Sequence, residues 1–257
     1  MSLQLTYQDY GQGDPILILH GLFGSKQNWK SIATSLSETH RVITVDLRNH
    51  GESPHNDQMT YPLMAKDIQD FIQTQHLKKI TLIGHSMGGK VGMQLAHDAP
   101  SLIEKLIIVD IAPVTYPRQH DEVLAALSEV PVQNLKTRSE ADPYLSKHLS
   151  DPALKQFLLT NLKKQENNYY DWQFNLNAII NQYQNIAKAP SFNHDISTPT
   201  LFIKGDDSEY INSRIIKEIE RFFTDFKIET ILNAGHWVHA EQSETFLTTI
   251  KKDLPFK

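Results

Sequence analysis

The chain has 257 residues, with 30 acidic against 25 basic side chains and no cysteine, a length that suits one large α/β domain or a domain carrying an insertion. A net charge of −5, spread without long single-sign runs, gives no footprint for a nucleic-acid backbone or an anionic membrane surface. The missing cysteines exclude disulfides, thiolate catalysis and cysteine-held metal centres.

Residues 1–15 lack the basic and apolar regions of a secretory leader, and no stretch approaches the roughly 18 apolar residues of a spanning helix. A cytoplasmic protein without a membrane span is expected. Short β-rich runs then recur at 3–7, 16–20, 41–46, 79–83, 106–110, 200–204 and 227–232, with helix-like segments between them. This alternation predicts an α/β fold with a mostly parallel central sheet flanked by helices. The runs ILIL and LIIV are apolar on consecutive positions, as strands covered on both faces are, whereas LQLTY alternates and reads as an edge strand. Between 113 and 199 no strand signal appears, and helical patterns punctuated by Pro117, Pro131, Pro143, Pro152 and Pro190 take over. The expectation is a core of residues 1–113 and 199–257 with a helical cap, 114–198, inserted over the carboxyl ends of the strands, where open α/β sheets bind ligands.

The most informative motif is Gly84-His85-Ser86-Met87-Gly88, one serine between two glycines where an apolar run meets a helical one. Glycines suit a strand-to-helix turn too sharp for flanking Cβ atoms, so Ser86 reads as the nucleophile of an elbow. A hydroxyl needs an imidazole to take its proton. His236, in Ala234-Gly235-His236-Trp237 after a strand-like run, is the candidate base; His239 is its local rival, and His85 is expected to pack behind the serine. His20 and His50 precede glycines in loops and are expected to make structural hydrogen bonds.

A carboxylate must fix the imidazole, and the sequence offers two places. Asp110 follows four apolar residues, where an unpaired charge is costly and an imidazole N–H would serve as its donor. Asp206 and Asp207, after Gly205, are the alternatives, with Ser208 available for an accessory hydrogen bond near the triad. An oxyanion hole is expected from the Met87 amide and from the loop His20-Gly21-Leu22-Phe23-Gly24, with Leu22 the preferred donor and Phe23 the second choice. That loop matches neither GxGxxG nor the P-loop, so it is not read as a phosphate cradle. Phe23, Trp172, Phe174 and Trp237 are candidates for an apolar acyl pocket. No metal or organic cofactor is required, because protein groups supply both activation and charge stabilisation.

Taken together, HGLFGSKQNW, VDLRNHGESPH, GHSMGGK, IVDIAP and AGHWVHAE, with the segment WQFNL at 172–176, resemble the α/β-hydrolase superfamily, and within it the small bacterial esterases of the YbfF type. The likeness spans almost the whole chain. It implies an acid after the earlier strand, at Asp110, with Ser208 standing where an aspartate is more usual. It also implies a small-molecule substrate, a short to medium acyl ester or an acyl-coenzyme A thioester. His50 departs from the glycine of many relatives, and Asp46, Arg48 and Ser53 read as loop braces. Two other functions stay open: a C–C bond hydrolase or lyase on the same scaffold, and a non-catalytic ligand-binding protein.

Overall fold

The computed structural model describes residues 3–166 and 168–254. From the N-terminus the chain runs through β1 (Tyr7–Tyr10), β2 (Pro15–Leu19), α1 (Lys30–Leu36), β3 (Arg41–Val45), α2 (Tyr61–Thr74), β4 (Ile80–His85), α3 (Met87–Asp98) and β5 (Ile103–Val109). A long segment follows, with α4 (Asp121–Glu129), α5 (Asp142–Leu145), α6 (Pro152–Leu159), β6 (Leu162–Lys164), β7 (Tyr170–Trp172) and α7 (Leu176–Ala187). The sheet resumes with β8 (Thr200–Gly205), and α8 (Ser213–Phe222), β9 (Phe226–Ile231), α9 (Val238–Glu241) and α10 (Ser243–Asp253) complete the order.

Seven strands form one sheet in the order β1-β3-β2-β4-β5-β8-β9, with β1 antiparallel and every other pairing parallel. Strand side chains alternate between faces. Leu17 and Leu19 of β2 accordingly join one apolar cluster, and Ile16 and Ile18 join the other. In β5, Leu106 and Ile108 likewise separate from Ile107 and Val109. Consecutive apolar residues are therefore what a sheet with two covered faces needs.

Two expectations are corrected. The first strand lies at Tyr7–Tyr10 and not at 3–7, because the residues before it are held by the loop after β3: Thr6 donates its N–H to Ser53 Oγ at 2.9 Å and its carbonyl accepts from Asp46 N at 2.9 Å. The segment 114–198 is not purely helical, since β6 and β7 pair as a two-stranded antiparallel sheet. Strands of three residues are too short to display an alternating pattern.

The loop after β3 is fixed by buried charges. Asp46 binds Lys26 Nζ at 2.6 Å and accepts from the backbone N–H groups of Lys26 and Glu52. Burial works to raise the Asp46 carboxyl, but nearby His20, these N–H groups and Lys26 outweigh it and hold the group below its ordinary range. Two residues on, the Arg48 guanidinium forks onto Asp67 at 2.6 and 2.8 Å, with both side chains buried. Removing one partner of such a pair strands the other. Asp67→Ala is expected to cost about 3–5 kcal/mol, read as a lowered urea midpoint.

Candidate active site

β4 passes directly into α3 through Ser86, whose φ of 51° and ψ of −117° lie outside the ordinary regions for a residue with a side chain. The turn is this sharp because its flanks carry no Cβ. An added Cβ at Gly84 would sit 2.4 Å from the Gly88 carbonyl oxygen, and one at Gly88 would sit 2.5 Å from that of Leu19. The Ser86 N–H is anchored on the Val109 carbonyl at 3.0 Å, which ties the turn to the end of β5. The side chain is left half-buried on the wall of a cavity.

Asp110 follows β5 at the same sheet edge, fully buried, with a φ of 50°. Its Oδ2 accepts from His236 Nδ1 at 2.8 Å and from Ser208 Oγ at 2.5 Å, and its Oδ1 accepts from the Gly205 N–H at 3.3 Å. With Nδ1 donating to the carboxylate, Nε2 of His236 is the nitrogen available to take a proton. Asp206 and Asp207 are exposed, and Asp206 accepts only from the Ala234 N–H, at 3.3 Å. The structure thus brings together Asp110, Ser208 and His236, and leaves the alternative acids outside. Among the described residues no hydrogen bond joins Ser86 Oγ to the imidazole. The two are linked by Tyr210, whose ring stacks on His236 at 4.1 Å and lines the Ser86 cavity.

Two groups that the sequence did not single out as positioning elements hold His236 in place. His85 Nε2 donates to the His236 carbonyl at 2.9 Å. Tyr116 accepts the Ala112 N–H at 3.0 Å and donates to the Tyr210 carbonyl at 2.7 Å, which fixes the stacking ring. His239 is no rival base, because it is buried face to face against Trp29 at 4.1 Å.

His20 and His50 are both tied to backbone groups. His20 donates from Nδ1 to Gly21 O at 2.8 Å and accepts the Leu47 N–H at Nε2 at 3.0 Å. His50 donates from Nδ1 to Arg48 O at 3.0 Å, and its Nε2 accepts the Phe23 N–H at 3.2 Å. Phe23 is therefore already committed, which corrects its standing as a second oxyanion donor. The Leu22 and Met87 N–H groups have no hydrogen-bond acceptor among the described residues, and both residues line the Ser86 cavity.

These histidines give the fold a pH dependence. Burial lowers His85 well below 6.5, aided by His236 and His239. Burial likewise brings His50 and His239 to about 3, the former with help from His20 and the latter from His236, and His120 to about 4. All stay neutral in the folded protein where an unfolded chain takes up protons near 6.5. The unfolded state then binds more protons, so stability is complete above about pH 6.5 and falls as the pH drops towards 4. Urea midpoints measured at pH 7, 6, 5 and 4 are expected to decline throughout that window.

The cavity beside Ser86 is narrow, with about 40 Å³ of room for solvent, and it opens to the surface. Its wall is built from Tyr61, Tyr116, Tyr183 and Tyr210 with Ile111 and Ile186, together with the amine-bearing Lys90. None of Phe23, Trp172, Phe174 and Trp237 lines it, so the expected acyl pocket is corrected. Phe174 instead stacks on Trp172 at 5.3 Å and meets Phe23 edge-on at 5.3 Å, while Trp237 packs on Phe157 at 5.7 Å. These rings fasten the segment after β5 to the sheet, helped by Asn161 Nδ2 donating to Phe23 O at 2.8 Å. Among the described residues no group of three or more His, Asp or Glu is placed to hold a metal ion, and no helix is long and apolar enough to cross a membrane.

The sheet order, the strained serine after β4 and the buried acid after β5 define a class. The sequence pattern of the family described as "alpha/beta hydrolase fold" matches residues 14–243, and the chain belongs to that family and is a hydrolase. Among its relatives, the esterase YbfF of Escherichia coli (strain K12) is 39% identical over 253 residues, covering 97% of this chain and 96% of that one. The sn-1-specific diacylglycerol lipase ABHD11 of Xenopus laevis is 42% identical over 246 residues, covering 93% of this chain and 78% of that one. A solved structure titled "Marine microorganism esterase" superposes with a TM-score of 0.96 at 39% identity, covering 98% of this chain and all of that one.

Proposed function

We propose that the protein is a serine carboxylesterase acting on short to medium acyl esters, and on thioesters of similar acyl groups, through an acyl-enzyme on Ser86. In this reading His236 Nε2 takes the Ser86 proton as Oγ bonds to the substrate carbonyl carbon. The Leu22 and Met87 N–H groups receive the resulting oxyanion. The imidazolium, steadied by Asp110, then gives its proton to the departing alkoxide or thiolate as that bond breaks. Water, deprotonated by the same histidine, attacks the acyl carbon and frees the acid and the serine hydroxyl. Ser208 holds Asp110 in its pose.

The observation that carries the reading is the 2.8 Å bond from His236 Nδ1 to a carboxylate that is otherwise fully buried. Two idle backbone donors beside a strained serine fit the same chemistry, as do the ester-cleaving activities in the relatives' names. The Ser86–His236 contact belongs to the substrate complex, since catalytic hydrogen bonds commonly tighten only there. The test is direct: the protein should hydrolyse p-nitrophenyl butyrate, and a fluorophosphonate should label Ser86 alone. An unlabelled Ser86 in protein that is folded would end the proposal.

A further inference from the structure

Lys90 is a buried amine that ester hydrolysis as described above does not use. It lies in the first turn of α3, which Ser86 precedes, and both residues line the same cavity. The side chain is only 2% exposed overall yet lines the Ser86 cavity. Its Nζ donates to the Ala187 and Lys188 carbonyls at 3.0 and 2.7 Å, at the C-terminal end of α7. The rings of Tyr61 and Tyr116 stand at 5.5 and 4.9 Å from it. An ammonium has three N–H donors, and two are satisfied. No Asp or Glu pairs with it among the described residues.

A buried cation without a counter-ion is costly, and one that faces a ligand cavity gains most from an anion placed there. Burial alone draws the amine down to about 7, and an anion seated against it would raise it again. The side of the cavity also matters. The leaving group must lie where His236 can protonate it, towards the opening lined by Gln119, Asp207, Tyr210 and His236. Lys90 does not itself line that opening, although Tyr116 borders both it and the Ser86 cavity, and an acyl group directed away from His236 would extend towards Lys90, Tyr61, Ile186 and Ala187.

We propose that Lys90 is a specificity-determining residue that selects acyl groups carrying a carboxylate at their far end, making half-esters of short dicarboxylic acids a preferred substrate class. The inference rests on the esterase reading of Ser86. Monomethyl glutarate and methyl 5-methylhexanoate test it, because they differ only in a terminal carboxylate against an isopropyl group of the same shape. In the wild-type enzyme kcat/KM is expected to favour the half-ester by about tenfold or more, as a charge-assisted hydrogen bond would. In Lys90→Met the ratio should fall below one. A purely structural clamp on α7 would lower both esters together and leave the ratio unchanged, which overturns the proposal.

If Lys90→Met does not fold, the wild-type enzyme decides alone, through the same ratio and through competition by free glutarate against the neutral ester. A wild-type ratio of one or less, or no inhibition by glutarate, overturns the proposal while leaving the esterase intact. Failure to cleave either methyl ester overturns the proposal, and hydrolysis of p-nitrophenyl butyrate then decides separately whether the esterase reading stands.

Discussion

Ser86→Ala is expected to lower kcat on a p-nitrophenyl ester by about a millionfold while the fold survives. In the proposed mechanism the loss is large because the serine, the histidine and the acid would act as a unit: without Oγ no acyl-enzyme could form, and the imidazole would have no proton to move. What remains is the modest help of the Leu22 and Met87 amides and of substrate binding. Alanine should also relieve nothing in the turn, since the φ of 51° is imposed by the backbone and is equally unfavourable with a methyl side chain. Urea unfolding of the variant should therefore match the parent, and a rate within a hundredfold of wild type would dismiss Ser86 as the nucleophile.

Asp110→Asn carries the second large effect, about ten-thousandfold in kcat. The carboxylate accepts from His236 Nδ1 and from Ser208 Oγ on the same oxygen. An amide presented there by its NH2 would reverse the polarity, forcing Nδ1 to accept and placing the imidazole proton on Nε2, where it cannot take one from serine. Asp206→Asn and Asp207→Asn remove exposed groups that do not touch the ring, and each is expected to stay within a few-fold of wild type. Measured side by side, a large loss at Asp206 or Asp207 and none at Asp110 would reassign the acid.

Much of this site was legible in the chain because steric necessity leaves marks. Gly84 and Gly88 are required by backbone carbonyls closer than any Cβ tolerates, so the elbow appears in sequence as a spacing. Asp110 announces itself as a charge at the end of four buried aliphatic residues. The cavity wall leaves no such mark. Tyr61, Tyr116, Tyr183 and Tyr210 come from four distant parts of the chain and converge only through tertiary packing, whereas Trp172 and Phe174 look like pocket residues and are consumed in fastening one segment to another. The alternation at 3–7 does not mark the first strand, which lies at Tyr7–Tyr10, because hydrogen bonds to the Ser53 loop, invisible in the sequence, hold the residues before it. Lys90 left a partial mark: a lysine among the glycines and apolar residues that open α3 has no obvious place in solvent.

β5 and β8 are hydrogen-bonded neighbours, although some ninety residues separate them in the chain. Beyond Asp110 and Tyr116, the chain between them leaves and re-enters through a single seam, so the length or composition of its outer part can be exchanged while each strand keeps its partners. Diversification of what the enzyme accepts can then proceed in that outer part, while the proposed Ser86, Asp110 and His236 keep their places at the ends of the strands.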